Sequence, residues 1–271
     1  MSEEREEDGR QPRLYVEAAL GADAMVELDA ERAHYLRNVL RLGEGDAVKL
    51  FNGRDGEWRA VAQALGKRGG ALRVQAPLRQ QQGEPDLWLV FAPIKRARID
   101  FIAEKATELG VAALAPVFTR YTNMTRVNVE RLRATAIEAA EQTERLSVPQ
   151  VREPVALASL LQSWPRDRRL LLADESGGGL PIGTALRQLD AADRARPWAV
   201  LIGPEGGFHR DELDLLRNLD FVTAVGLGPR ILRADTAALA ALSCWQALVG
   251  DWERPTPRLA PDYRRRDAKE R

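Results

Sequence analysis

Apolar residues beyond position 86 occur in short runs, and longer segments with one apolar face lie between the runs. A continuous apolar run of this length is typical of a strand buried on both faces of a parallel sheet. We predict strands at 87–92, 111–117, 169–173, 198–202 and 222–227. Helical spacing of apolar residues predicts helices at Ala97–Leu109, Val129–Leu146, Arg210–Leu219 and Thr236–Leu248. Strands that alternate with helices indicate an α/β domain with a parallel sheet.

The first 76 residues show a different pattern, in which apolar segments are shorter and turn residues separate them. This pattern predicts strands at 13–16, 46–51, 57–61 and 71–75. One helix interrupts them, with Asp29 as its N-cap and Gly43 as its end. Many short strands in a segment of this length favour a small β-barrel.

The polar segment 77–85 has a proline at each end, and we interpret it as a linker. It separates a small β domain at 13–76 from an α/β domain at 86–252. The charged segments 1–12 and 255–271 are expected to be flexible tails.

Composition narrows the class of protein only moderately. Hydrophobic residues make up 45% of the 271 residues, and charged residues make up 30%, as in ordinary globular proteins. Lys and Arg together number 40, as do Asp and Glu, so net charge argues neither for nor against a nucleic-acid partner. Cys244 is the only cysteine, which excludes an intramolecular disulfide. The chain has no apolar run of membrane-spanning length, and its N-terminus is unlike a signal peptide, so we expect a cytoplasmic protein without a membrane partner.

Two glycine-rich turns follow consecutive predicted strands, at 200–207 and 225–237. The carboxyl ends of parallel strands are where open α/β sheets bind ligands, and glycine allows a ligand to approach the backbone. Neither turn has the Lys-Ser/Thr pair of a P-loop or a complete dinucleotide fingerprint. Backbone groups with apolar walls suit an adenine and a thioether, so we interpret the turns as a pocket for S-adenosylmethionine. The alternative is that both are ordinary strand-to-helix turns.

Several polar residues lie near these turns or on other predicted loops. Arg233 could hold a carboxylate, a phosphate or a developing negative charge at the pocket mouth, whereas Asp235 or Thr236 could simply cap the last helix. The loop 119–126 could grip phosphate and stack a base, or could be an ordinary loop. The two histidines, His34 and His209, have no metal-ligand partners in the sequence, and we expect no metal site.

Five ordered segments together resemble a known family. They are His34–Arg41 with Gly45 and Asp46, Glu104–Val111, Glu138–Gln142 with Arg145 and Pro149, Ile202–Gly207, and Leu227–Ala237. From Arg13 to Trp252 the chain resembles the RsmE family of ribosomal RNA small-subunit methyltransferases, within the SPOUT superfamily. One position departs from the family pattern, because Asp235 stands where the family usually has glutamate.

The resemblance implies an N-terminal PUA-like β-barrel that binds RNA and a C-terminal SPOUT domain with a trefoil knot. It also implies a homodimer that methylates N3 of a uridine in 16S rRNA of the small ribosomal subunit, with S-adenosylmethionine as donor. We expect the active site to be shared between the subunits.

Site residues follow from matching the family motifs to this chain. The cofactor residues implied are Leu172, Glu175, Gly203, Pro204, Glu205, Gly206, Leu227, Gly228, Ile231, Leu232 and Arg233. For catalysis we expect Arg233 to stabilise an anion and Glu205 to accept or position a proton. The residues expected to bind RNA are Arg13, Arg41, Lys95, Arg98, Arg120, Tyr121 and Arg126.

Three other functions remain open at this point. The first is another SPOUT enzyme, which acts on tRNA or on a ribose hydroxyl. The second is an RNA-binding protein without catalytic activity. The third is a nucleotide-dependent oxidoreductase, which the missing dinucleotide fingerprint disfavours.

Overall fold

The computed structural model describes residues 11–94 and 96–254, apart from the side chains of residues 96 and 97. The predicted tails therefore lie outside the described residues, except for residues 11 and 12. The chain forms two compact units. Unit 1 comprises the chain as far as Gly83 together with Ala103–Ala112 and Asn128–Val151, and unit 2 comprises Glu84–Ile102, Ala113–Val127 and the chain from Arg152 onward. The units alternate along the sequence, and the domain bounds 13–76 and 86–252 stay a prediction.

The regular elements of the described residues are named here in chain order. The strands are β1 (Arg13–Tyr15), β2 (Met25–Leu28), β3 (Ala47–Phe51), β4 (Glu57–Gly66), β5 (Gly69–Arg79), β6 (Leu87–Phe91), β7 (Ala113–Phe118), β8 (Gln150–Val151), β9 (Val155–Ala156), β10 (Arg169–Ala173), β11 (Leu180–Pro181), β12 (Trp198–Ile202) and β13 (Val222–Gly226). The helices are α1 (Ala30–His34), α2 (Arg96–Glu108), α3 (Val129–Gln142), α4 (Leu157–Gln162), α5 (Ile182–Arg187), α6 (Ala191–Arg194), α7 (Arg210–Arg217) and α8 (Ala234–Leu248). A π-helical turn, Tyr35–Val39, continues α1.

Unit 1 contains a five-stranded sheet in the order β1-β3-β4-β5-β2. β1 is parallel to β3, and the other pairs are antiparallel. The long pair β4–β5 has register shifts along its length, and such irregularities bend a sheet. Its concave side closes over a core that includes Leu36, Leu50 and Leu72, which are fully buried. The prediction of a small N-terminal β domain is confirmed in the form of this curled sheet.

Two details of unit 1 differ from the sequence prediction. β2, which has four residues, was missed. β5 continues to Arg79, so the first three residues of the predicted linker belong to a strand. Pro77 is accommodated there because the β4–β5 register shifts on either side of it.

The predicted helix near residue 30 has the correct start and the wrong end. The Asp29 side chain accepts a hydrogen bond from the Arg32 backbone N–H, which confirms Asp29 as the N-cap. The helical turns end at Leu40 instead of Gly43, because Arg41 adopts a left-handed conformation with φ of 58°. Similarly, α3 ends at Gln142 and not at Leu146, and Glu144 takes a left-handed φ of 60°.

Unit 2 contains a parallel sheet in the order β11-β13-β10-β12-β6-β7, and β9 pairs with β7. The predicted strands 169–173 and 198–202 are confirmed at both ends. The helices α4, α5 and α6 were missed because each has six residues or fewer, too few for a clear helical period. β13, β10 and β12 are adjacent, so their carboxyl ends lie side by side at one edge. That edge carries the site described below.

A buried ion-pair network in unit 1 joins the sheet to the end of α3. The Glu57 carboxylate accepts hydrogen bonds from Arg13 Nε at 2.7 Å and from Arg79 Nε at 2.8 Å. The Arg13 side chain is 6% exposed, and it also donates to the backbone carbonyls of Ala140, Glu141 and Arg145. Every nitrogen of this guanidinium is occupied, so the predicted contact of Arg13 with RNA does not fit its position.

We expect Glu57→Gln to lower the free energy of unfolding by about 3 kcal/mol, because it leaves two buried or half-buried guanidinium groups without a counter-charge. The measurement is urea unfolding at neutral pH. Asp23→Asn is the matched control, because it breaks the pair with Arg73, in which both side chains are mostly exposed. Equal losses in the two variants would contradict the assigned role of Glu57.

Glu57 also predicts a pH dependence of stability. Burial alone would raise the pKa of Glu57, but hydrogen bonds from Arg79 and Arg13 outweigh burial and hold the pKa below its usual value. Its contribution is therefore complete above the unfolded-state pKa and is lost as pH falls through the folded-state pKa. Between about pH 6 and about pH 3, we expect the unfolding free energy of the wild type to fall more steeply than that of Glu57→Gln. Parallel slopes would show that another carboxyl group dominates.

Candidate functional site

A cleft lies at the carboxyl ends of β13, β10 and β12 in unit 2. Its volume is about 330 Å³, within the range of small-molecule sites. Three loops line it: residues 173–177 after β10, residues 202–207 after β12, and residues 226–234 before and at the start of α8. The walls combine backbone groups with apolar side chains such as Ile202, Leu227 and Leu232.

The loop after β12 is fixed by the packing of its glycines. Gly203 is buried, and a Cβ at this position would lie 2.8 Å from the ring of Phe208. Gly207 has a φ of 72°, and a Cβ there would collide with the Glu175 carboxylate, whose Oε1 lies against it. Its N–H donates to the Pro204 carbonyl at 2.9 Å. Gly203 therefore lacks space for a larger residue beside Phe208, and Gly207 has a left-handed φ that favours glycine.

The loop after β10 is held by a buried carboxylate that the sequence analysis did not single out. Asp174 accepts hydrogen bonds from Arg217 Nε at 2.9 Å and from the Ser176 hydroxyl at 2.7 Å. Burial alone would raise the pKa of Asp174, but the bonds from Arg217 and Ser176 outweigh burial and lower it. A Cβ at Gly178 would collide with Arg217, and one at Gly179 would lie 2.5 Å from the Val225 backbone. The family resemblance had implied this third loop through Leu172 and Glu175, and glycines 177–179 are a further sequence signal for it.

The loop before α8 carries the exposed cations of the site. Arg230 and Arg233 line the cleft and are exposed, and the Ile231 side chain is 93% exposed. Arg233 is the N-cap residue of α8, without a capping side-chain bond. Asp235 follows in the first turn, where it accepts from the Thr236 N–H and pairs with Arg98 at 3.4 Å. Neither Asp235 nor Thr236 is therefore the N-cap, and Arg98 already has a carboxylate partner.

Most of the predicted cofactor residues come together in this cleft. Those that line it are Glu175, Gly203, Pro204, Glu205, Leu227, Gly228, Ile231, Leu232 and Arg233. Leu172 does not line it, because its side chain is fully buried in β10. Gly206 lies on the outer side of its loop, where a Cβ would be 3.6 Å from the Cβ of Tyr121. The assignment of these residues to a cofactor stays a prediction.

The residues predicted to bind RNA are placed less uniformly. Arg120 and Tyr121 lie beside the loop after β12, with the Tyr121 ring packed edge-to-face on His209. Arg41 in unit 1 and Arg126 in unit 2 are exposed. Lys95 lies outside the described residues.

Metal-ligand clusters and membrane-spanning helices are both absent from the residues that the structure describes. No group of three or more His, Cys, Asp or Glu side chains within residues 11–94 and 96–254 is arranged to hold a metal ion. In the same part of the chain, no helix has the length and apolar character needed to cross a membrane.

Comparison with known proteins places this geometry among RNA-modifying enzymes. Family models of an RNA methyltransferase domain and an RNA methyltransferase PUA domain match residues 82–246 and 28–75. A Rickettsia conorii protein named ribosomal RNA small subunit methyltransferase E is 34% identical over 236 residues, which cover 85% of this chain and 93% of the relative. The Bacillus subtilis protein of the same name is 29% identical over 224 residues, with 80% and 87% covered.

Solved structures of similar proteins show the same fold. A ribosomal RNA small subunit methyltransferase E from Neisseria gonorrhoeae, bound to S-adenosyl methionine, has a TM-score of 0.78 and 27% identity, over 90% of this chain and 100% of that chain. A putative methyltransferase from Legionella pneumophila, in complex with the cofactor SAM, also has a TM-score of 0.78, with 29% identity over 89% and 99%.

We expect Gly203→Ala to lower the free energy of unfolding by about 1–3 kcal/mol, because the new methyl group would displace the buried ring of Phe208. Gly206→Ala is the matched control in the same loop, since its Cβ meets only an ordinary contact with Tyr121. Urea unfolding of the two variants is the measurement. A Gly206→Ala variant as unstable as Gly203→Ala would contradict this account of the loop.

Proposed function

This chain belongs to the RNA methyltransferase family whose curated members are named ribosomal RNA small subunit methyltransferase E, and from this premise we propose that it transfers a methyl group from S-adenosylmethionine to N3 of a uridine in 16S rRNA. The observation that carries the proposal is the cleft formed by three loops at adjacent strand ends. The family model covers the whole of that cleft.

The cleft has the properties that S-adenosylmethionine requires. A Cβ at Gly177 or Gly228 would meet no atom within 4 Å, so both glycines leave their sides of the cleft free for a ligand. The backbone of Leu227–Leu232 and the apolar walls would hold the adenine and the thioether carbons. The Glu175 carboxylate offers an acceptor for the cofactor's polar groups. When bound, the cofactor supplies an electrophilic methyl group on a sulfonium.

Charged residues at the mouth of the cleft suit a uridine acceptor. N3 of uridine carries an imide proton that must leave before the nitrogen can attack. Glu205 is exposed at the cleft and accepts that proton or positions the group that does. Arg233 stabilises the negative charge that develops on the base. The main task of the protein is to hold the two reactants close and aligned.

The RNA would be gripped outside the cleft. The residues proposed to contact the phosphates and bases of the RNA are Arg120, Tyr121, Arg126 and Arg98 in unit 2, Arg41 in unit 1, and Lys95. N3 takes part in Watson–Crick pairing, so the target base has to be unpaired or flipped out of its stack.

The finer features of the family belong to the same proposal. They are a homodimer with a shared active site, a trefoil knot in the C-terminal domain, an N-terminal RNA-binding domain and action in the cytoplasm. Chemical transfer at the cleft needs no metal ion in this proposal.

We expect Arg233→Ala to lower kcat/KM for methyl transfer by about 100-fold, because it removes the cation that faces the developing anion. The assay follows radiolabelled methyl transfer from S-adenosylmethionine to unmodified 30S subunits, with naked 16S rRNA and tRNA in parallel. Arg210→Ala is the control, because Arg210 is an exposed arginine of α7 outside the cleft.

The position of the label decides between the proposal and its rivals. Label at a uridine N3 in 16S rRNA supports it. Label in tRNA or on a ribose hydroxyl would replace the substrate, and binding of S-adenosylmethionine and RNA without any transfer would leave only a binding protein.

A further inference from the structure

The carboxylate of Glu212 receives hydrogen bonds from two different loops of unit 2. Its Oε2 accepts from the backbone N–H of His209 at 3.0 Å, which is part of the capping box of α7. Its Oε1 accepts from the backbone N–H of Arg120 at 2.9 Å. The second bond is not required by the helix, because Arg120 is 92 positions away and belongs to the loop after β7.

The strand order makes this bond unusual. β6 lies between β12 and β7, so the loops after β12 and β7 do not follow neighbouring strands. The bond from Arg120 to Glu212 therefore joins segments that follow two non-adjacent strands. The loop after β7 is stiffened internally, since the Thr119 N–H donates to the Thr122 hydroxyl at 2.9 Å. Glu212 is thus the bridge between a preformed turn and the segment that follows the cleft.

The two hydrogen bonds of Glu212 place Tyr121 beside the loop after β12. The Tyr121 ring packs edge-to-face on His209, with ring centroids 5.7 Å apart. A Cβ at Gly206 would lie only 3.6 Å from the Tyr121 Cβ. The Tyr121 side chain nevertheless stays 46% exposed, and next to it the Arg120 side chain is 61% exposed.

An exposed aromatic ring with a neighbouring arginine is the arrangement by which proteins bind unpaired nucleotides. The ring stacks on a base, and the guanidinium contacts the backbone phosphate. Here His209 packs against the ring, and Glu212 holds the backbone N–H of the preceding residue, Arg120, so little conformational freedom is lost when a base stacks on the ring. Its position beside Gly206 sets it on the outer side of the loop whose Glu205 lines the cleft.

We propose that Tyr121 stacks on a nucleobase of the single-stranded RNA that enters the cleft, and that Glu212 is a positioning residue that holds Tyr121 there. This inference rests on the proposed function for the identity of the RNA. Tyr121 acts in binding and not in chemistry, whereas Glu212 acts only through the loop that it holds.

The first test compares ring substitutions at Tyr121. The dissociation constant of the full chain for unmodified 30S subunits is measured together with that for S-adenosylmethionine. Tyr121→Ala and Tyr121→Leu are expected to weaken RNA binding by about 5- to 100-fold, the effect of losing one stacked base. Tyr121→Phe and Tyr121→Trp keep an aromatic face and should bind nearly as the wild type does. Affinity for S-adenosylmethionine should not change in any of the four.

The second test uses a double-mutant cycle to examine Glu212. Glu212→Gln keeps one acceptor oxygen and replaces the other with a donor, so it breaks one of the two bonds without changing the size of the side chain. We expect Glu212→Gln alone to weaken RNA binding. When combined with Tyr121→Ala, it should raise the dissociation constant by less than about a further two-fold, because both changes remove the same stacking contact. Asp214→Asn, on an exposed carboxylate of the same helix, is the control and should have no effect.

The outcomes separate this inference from the proposed function. Wild-type RNA affinity in Tyr121→Ala or Tyr121→Leu would overturn the stacking role, and full additivity in the cycle would overturn the role of Glu212, whether or not the enzyme transfers methyl groups. Weakened RNA binding in Tyr121→Ala, rescued in Tyr121→Phe, would support stacking even if no methyl transfer were detected. Thermal unfolding of each variant ensures that the compared proteins are folded.

Discussion

The geometry of the cleft depends on the ion pair between Asp174 and Arg217. Asp174 stands just beyond the end of β10, the central one of three adjacent strands, and it is buried. A buried carboxylate is stable in its charged form only with a hydrogen-bonded counter-charge. Arg217 supplies that charge from the last turn of α7, which starts after the loop of the neighbouring strand β12. Glu212, in the first turn of the same helix, binds the loop after β7. One short helix therefore sets the relative positions of three loops.

The sequence predicted the strands and turns that depend on a local pattern of residues. β10 and β12 were located to the residue, because a strand buried on both faces must be a continuous apolar run. Most of the lining of the cleft was also predicted, because the glycines after β12 and β13 indicate where the backbone turns. The short helices left no periodic signal. The ends of α3 and of the π-helical turn depend on left-handed residues, Glu144 and Arg41, that are not glycine.

Hydrogen bonds and ion pairs between residues that are far apart in the sequence could not be predicted in this way. Asp174 and Arg217 are 43 positions apart, and no local pattern connects them. Arg13 was among the residues expected to bind RNA, but its carbonyl acceptors are 127 to 132 positions away in the sequence. The family resemblance supplied the substrate, and it agreed with the S-adenosylmethionine pocket that the two glycine-rich turns had already suggested. It did not reveal that Asp235, which is shorter than the usual glutamate, has Arg98 as its partner.

The bonds from Arg13 to the end of α3 also affect the order in which the chain folds. Its carbonyl acceptors lie at residues 140, 141 and 145, so β1 leaves the ribosome long before they are synthesised. At a rate of about 5–20 residues per second, this delay lasts on the order of ten seconds. During that interval Glu57 can pair with both Arg13 and Arg79, but the remaining donors of Arg13 have only water as a partner. Unit 1 therefore completes the Arg13 network late in synthesis, although β1 is synthesised early.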